Sequence, residues 1–199
     1  MLARIPKVIV PFSFHATLTL PIAIAVASMP TREPKMKDTP LPHDSSHDFD
    51  FLHGKWTMHN RRLVKRLADS HDWVEFAAAS DCRPLSGGLG NQDVYRTDYW
   101  PDFVGLSLRI YNPQTRQWSI SWVDNHNAPG VWQPAQVGVF SKAVGIFDAA
   151  DSFNGKPVVV RFIWKKFDKE HARWEQAFSP DNGKTWETNW TMDLTRATD

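Results

Sequence analysis

Beyond Gly54 the chain alternates apolar and polar positions over short runs, and turn residues separate one run from the next. A side-chain period of two belongs to a strand with one face buried and the other wet, so the repetition predicts an antiparallel all-β domain. Ten strands are expected, over Lys55–Lys65, Trp73–Ser80, Gln92–Tyr99, Val104–Tyr111, Trp118–Asn125, Gln136–Phe140, Val144–Phe147, Pro157–Lys166, Arg173–Phe178 and Thr185–Thr195. The connections carry matching chemistry: Asn112-Pro113, Asn154-Gly155 and Asp181-Asn182-Gly183 are residues that turn a chain without strain. No run longer than a dozen residues shows a helical period, so helix is confined to short pieces, with "DFDFLHG" at 48–54 and a turn near Leu67–His71 as candidates.

Short strands in regular succession form either a sandwich or a closed barrel, and closure removes exposed edges more completely. Residues 28–46 are rich in Pro, Lys, Asp and Ser without apolar periodicity and read as a disordered linker, which leaves 47–199 as the folded domain. The first 27 residues carry Arg4 and Lys7, an apolar run and Ala25-Val26-Ala27, the layout of a secretory signal cleaved after Ala27. The run Val8–Ala27 also has spanning length, yet Pro11, His15 and Pro21 make it a poor membrane anchor, so none is expected. A genuine leader makes the protein periplasmic or secreted; a start at Met29 or Met36 makes it cytoplasmic.

Composition narrows the function classes. A formal charge of +1 over 199 residues, with no basic run, gives no electrostatic footprint for nucleic acid. The single cysteine, Cys82, excludes an intramolecular disulfide and any multi-cysteine zinc site, and is expected as a buried thiol. His43, His47 and His53 with Asp44, Asp48 and Asp50 match no closed zinc spacing and read as a solvated polar segment, so no metal or other cofactor is expected. Ten tryptophans and twelve phenylalanines supply enough ring surface to line a wide barrel, whose inward face is both core and cavity.

Gly54-Lys55-Trp56, at the start of the first strand, resembles the Gly-x-Trp motif of the calycin superfamily of lipocalins, fatty-acid-binding proteins and nitrobindins. The span Asp48–Arg196 is similar to a group of uncharacterised bacterial lipocalin-like proteins of unknown function. That resemblance implies a single up-and-down barrel rather than a sandwich. It also implies that an arginine of the last strand packs across Trp56 at the closed end, and Arg196 stands in that place. Nitrobindins carry a haem-binding histidine late in the barrel; the only late histidine here is His171, in the "DKEHAR" turn, which makes haem the third reading.

The expected ligand site follows from alternation. If Trp56 points inward, so do Asn60 and Arg62, and an arginine in a low-dielectric lumen can fix a carboxylate or phenolate, as in fatty-acid-binding proteins. "HNRRLVKR" is polar on both faces, so a solvated mouth is the alternative for Arg62. Trp118, Trp122 and Asp124 share one face, as do Val160, Phe162 and Trp164, and Trp186, Thr188, Trp190 and Met192. Arg109, Asp124 and Glu175 with Asn91 are a candidate buried polar set. The leading expectation is a small, largely apolar or aromatic molecule held by Asn60, Arg62, Arg109, Trp118, Trp122, Asp124, Trp164, Glu175 and Trp190, in a monomer or homodimer. The rival is an isomerase, cyclase or hydrolase on the same barrel, using Asp124, Glu175, His59 or Arg109. No Gly-x-Ser-x-Gly occurs, and "SGGLGN" (Ser86–Asn91) lacks the following Lys-Ser/Thr of a phosphate loop, so it reads as a flexible loop or lid at the mouth. "NWT" at Asn189 falls in an expected strand and is discounted as a glycosylation acceptor.

"SPDNGKTW" (Ser179–Trp186) fits the Asp box that sialidase propellers repeat on several blades. One copy in a chain too short for a propeller reads as a hairpin turn, with Ser179 and Asp181 accepting backbone N–H groups and Gly183 at positive φ. The register that follows puts Trp186, Thr188 and Trp190 in the lumen and Glu187, Asn189 and Asp193 outside.

Overall fold

A computed structural model describes residues 44–127 and 129–198; the expected leader and residues 28–43 of the linker lie outside them. All ten expected strands form: β1 (Gly54–Leu63), β2 (Trp73–Pro84), β3 (Gly90–Thr97), β4 (Phe103–Asn112), β5 (Gln117–Asp124), β6 (Gln136–Ser141), β7 (Val144–Phe153), β8 (Lys156–Lys166), β9 (His171–Ser179) and β10 (Glu187–Arg196). Each pairs antiparallel with its chain neighbours, and β10 returns to β1, so the sheet closes into an up-and-down barrel without free edges. β7 runs beyond its expected end at Phe147 because Ala149, Ala150 and Asp151, weak in alternation, pair with β8 up to the Asn154-Gly155 turn. Both turn residues have positive φ, 51° and 75°, as a two-residue hairpin requires. One-turn 3-10 helices occur at Ser45–His47, Asp50–Leu52 and Ser86–Gly88; Leu67–His71 forms none, with Leu67 and Asp69 at positive φ instead.

The up-and-down path gives the barrel two distinct ends. At one, residues 45–53 cross beneath the strands and bury Phe49 completely, its ring 5.1 Å from Trp118, 4.9 Å from Phe140 and 5.4 Å from Phe147. Arg196 lies 4.3 Å over the Trp56 ring, opposite it in the β1–β10 register, and donates from Nη1 to His53 O (2.8 Å) and from Nη2 to Phe51 O (2.9 Å). The Trp56 indole N–H donates to Leu52 O at 2.8 Å, so plug, first strand and last strand are tied at one point. The Gly-rich loop at Ser86–Asn91 joins β2 to β3 at this closed end, where Tyr111 N donates to Leu89 O; the up-down order of the strands, not loop composition, decides which end a loop serves, and it is no lid on the mouth.

The opposite end is open and is built by the connections after β1, β3, β5, β7 and β9. β5 and β6 share only the pairs Trp118–Gly138, Ser119–Val137 and Ile120–Gln136, and beyond them Gln133 N donates to Trp122 O at 2.9 Å. Gly105, facing Asp124 across the β4–β5 pair, leaves the space that the Trp122 ring occupies; a Cβ there would come within 2.0 Å of the indole.

The last hairpin departs from the expected register. Thr188 pairs with Ala177 but Trp190 with Gln176, so Asn189 is an extra residue, a β-bulge. Trp190 faces the lumen, but on the mouth side of the bulge the alternation reverses. Trp186 therefore lies on the outer surface, 3.9 Å under the Arg161 guanidinium, and Thr188 is exposed, while Asn189, expected outside, is fully buried. Asp193 is outward as expected, accepting from Arg173 at 2.7 Å, and Glu187 turns back to accept Leu67 N. The turn itself forms as anticipated: Gly183 N donates to Ser179 Oγ (2.7 Å), Thr185 N to Asp181 Oδ1 (2.8 Å), and the Trp186 indole to Gly183 O (3.0 Å).

Candidate ligand-binding site

Above the plug the barrel holds a cavity of about 570 Å³, a size that accommodates a small organic molecule. Its walls are the inward rings of two runs of neighbouring strands, β3 to β5 and β8 to β10, among them Tyr95, Phe103, Trp122, Phe162, Trp174 and Trp190. Neighbouring rings meet edge to face, Trp174 against Trp190 at 5.8 Å and Tyr95 against Trp122 at 5.9 Å, which presents a stiff aromatic lining. Of the expected ligand residues, Arg62, Arg109, Trp122, Asp124, Trp164 and Trp190 line this space.

At the base, Arg109 is 3% exposed and forms a short ion pair from Nη1 to Asp93 Oδ1, with a second bond to Asn91 Oδ1 at 3.2 Å. Its guanidinium lies between the rings of Phe49 (5.4 Å) and Trp164 (5.3 Å). A cation so enclosed already has its counter-charge. The expected polar set is thus divided: Asn91 meets Arg109, and Asp93, which alternation alone did not single out, takes the place expected for Asp124 and Glu175. Glu175 lies on the outer face, where Lys165 Nζ (2.7 Å) and Arg173 Nε (2.8 Å) donate to it; β9 turns Trp174 and Gln176 inward, so Glu175 between them must face out. Asp124 reaches the lumen but is held by its own loop, accepting from the Trp122 indole (2.8 Å), His126 N (2.8 Å) and Asn127 N. Burial pushes its carboxyl up, but these donors outweigh burial and hold it below the usual carboxylate range.

Trp118 and Asn60 support the site from behind its surface. Trp118 packs on Phe49 in the floor and donates to Ser45 O at 2.8 Å. Asn60, fully buried, accepts from the Tyr95 hydroxyl (3.2 Å) and the Trp190 indole (2.9 Å), fixing two wall rings with one oxygen. Burial pushes the Tyr95 phenol up, so it stays a donor. Cys82 is the buried thiol expected, its acidity pushed by burial up to about 12.

The mouth is different in charge. Arg62 points inward and is half-buried between the rings of Trp100 (5.3 Å) and Trp190 (5.2 Å). Its Nε is enclosed without a partner, and among the described residues no carboxylate pairs with it. Burial lowers its guanidinium pKa, against the favourable influence of Tyr99 and Tyr95. Arg66 lies beside it over Phe153 (4.6 Å) and Phe178 (5.4 Å), and it too has no ion pair among the described residues. Burial, then the like charge of Arg62, brings Arg66 down to about 10, with Glu187 opposing. Arg66 follows the end of β1 and sits in the irregular 64–72 connection, beyond the reach of any alternation rule. Outside the mouth a more open depression of about 850 Å³ shares Arg66 and Phe153 with the lumen.

The histidines expected as alternatives fall elsewhere. His59 is on the outer face of β1 beside Glu75 at 3.2 Å, and His171 is exposed at the start of β9, at the closed end, bonded to Asp168 at 3.0 Å. Neither can reach a group in the lumen, so the late histidine does not fit a haem held there. His126 does line the mouth, with Nε2 2.9 Å from Pro101 O. Among the described residues no three His, Cys, Asp or Glu side chains gather where they could hold a metal ion, and no helix is long and apolar enough to cross a membrane. No family model matches the chain, and no curated protein matches it.

Proposed function

We propose that the protein binds a small, largely apolar or aromatic anion in the barrel lumen, with Arg62 as its anchor. One observation carries this reading: Arg62 lines the cavity, stacked between two tryptophans, and lacks the acid partner that the deeper Arg109 possesses. A half-buried cation without a partner is unfavourable, and a ligand carboxylate would complete it with two charge-assisted hydrogen bonds. The aromatic walls suit a flat apolar body below that group. An enzyme is less well supported, because His59 and Glu175 lie on the outer face of the barrel and Asp124 is occupied by its loop, so acid and base groups do not converge. The Trp56–Arg196 stack at the closed end supports a calycin-like, lipocalin-like origin for the barrel, and the signal-like layout of residues 1–27 supports a periplasmic or secreted setting.

Native mass spectrometry of protein purified from its own host is expected to find a bound small acid. With 1-naphthoate as probe, followed by tryptophan fluorescence, Arg62→Ala should weaken binding by about ten-fold or more, the scale of one charged hydrogen-bond pair. Unchanged affinity would remove Arg62 as the anchor.

A further inference from the structure

The second arginine at the mouth narrows the ligand class. We propose that Arg62 and Arg66 together receive a phosphate monoester, so that the ligand is an aryl or otherwise apolar phosphate rather than a simple carboxylate. The proposal rests on the reading of the lumen as an anion site and adds the identity of the anion.

Both guanidiniums line the same cavity, and neither has an ion pair or hydrogen bond to an acid among the described residues. Each is held through its flat face, Arg62 by Trp100 and Trp190, Arg66 by Phe153 and Phe178, which leaves the terminal Nη donors for a ligand. The nearby acids bond to neither guanidinium: Glu187 accepts Leu67 N with both oxygens, at 2.8 and 2.9 Å, and reaches Arg66 only through its field, and Asp151 accepts Ser152 N at 2.7 Å. A carboxylate brings one charge and two oxygens, which a single arginine fork consumes, leaving the second cation uncompensated. A phosphate monoester brings a charge of about −1.5 to −2 at neutral pH and three strong acceptor oxygens, enough for both. Position agrees with this. Arg66 belongs to the lumen and to the outer depression alike, so a phosphate at the pair sits at the threshold with its apolar body inside and its last oxygen toward water.

The test compares 1-naphthyl phosphate, 1-naphthoate and uncharged 1-naphthol, three probes with one ring system, titrated into the full chain by tryptophan fluorescence. The wild type should bind the phosphate about ten-fold or more tightly than the carboxylate. Arg66→Gln should abolish that preference by weakening the phosphate about ten-fold more than it weakens naphthoate. Phosphate and carboxylate that bind alike, both better than naphthol, would overturn the phosphate assignment while leaving Arg62 as an anion anchor, as would a preference that survives Arg66→Gln. Acids that bind no better than naphthol would overturn the anion reading as a whole. The wild-type comparison needs no variant, so a poorly folding Arg66→Gln would not spare the proposal.

Discussion

Asp181 holds its turn through its charge. Its carboxylate accepts from Ser179 Oγ, Lys184 N, Thr185 N and Thr185 Oγ1, at 2.8, 3.1, 2.8 and 2.6 Å. The Thr185 hydroxyl, then the Thr185 N–H, draws its pKa from the ordinary 3.8 down to about 2. A carboxyl more acidic in the folded than in the unfolded chain favours the fold when ionised. Its contribution is therefore complete above about pH 4 and disappears as pH falls through about 2. An NMR titration of the Asp181 carboxyl carbon should show a midpoint near 2, with the Thr185 amide still protected at pH 3. A midpoint near the ordinary value would mean that these bonds do not persist in solution. The Asp-box pattern thus has a complete local explanation at the level of single hydrogen bonds, and nothing in it requires a sugar. Arg62 and Arg109 make the complementary point, since one residue type in one lumen is structural where an acid answers it and available where none does.

At the scale of strands, the bulge at Asn189 decides more than its single residue suggests. The Asn189 side chain accepts from Gln176 Nε2 at 2.8 Å and is fully buried in the β9–β10 wall. Asn189→Ala leaves Gln176 facing the lumen without its partner, which should cost about 1–3 kcal/mol and lower the melting temperature by several degrees. No change in melting temperature would show that water replaces the bond. The bulge also marks where sequence reading stopped working. Strand existence and the inward sets of β1, β5 and β8 were legible, because alternation is a property of each strand alone. A bulge is set by how two strands pair, so alternation carried through Trp186–Met192 put Trp186 and Thr188 on the wrong face. Glu175 was misplaced for a related reason: the charges along β9 could not say which parity faced inward, and Trp174 between them was the signal that could have. Arg66 and Asp93 were not legible as site residues, because one lies in an irregular connection and the other is defined only by its neighbour across the β3–β4 pair. The closed end was found through resemblance at Gly54, Trp56 and Arg196; Arg196 stands 140 positions after Trp56, a contact no local pattern contains.

The whole barrel separates stability from binding along its axis. The closed end carries the fully buried Phe49 with its ring partners and the ties among plug, β1 and β10, whereas the mouth carries the cations without acid partners. Phe49 is 0% exposed and meets Trp118, Phe140, Phe147 and Trp164 around one ring. Phe49→Ala should therefore remove about 3–5 kcal/mol, with a melting temperature lower by about 6–20 °C for a domain of this size. Binding of 1-naphthoate by the folded fraction should stay within about three-fold of wild type, a change of about 0.6 kcal/mol, because the mouth is built by the opposite loops. Arg62→Ala should show the reverse pattern, with the melting temperature kept and naphthoate weakened by about ten-fold or more. Calorimetry and fluorescence titration on the two variants side by side test the separation. A Phe49→Ala protein that melted normally but lost naphthoate would place the ligand on the floor beside Arg109 and would overturn the assignment of the mouth as the binding end.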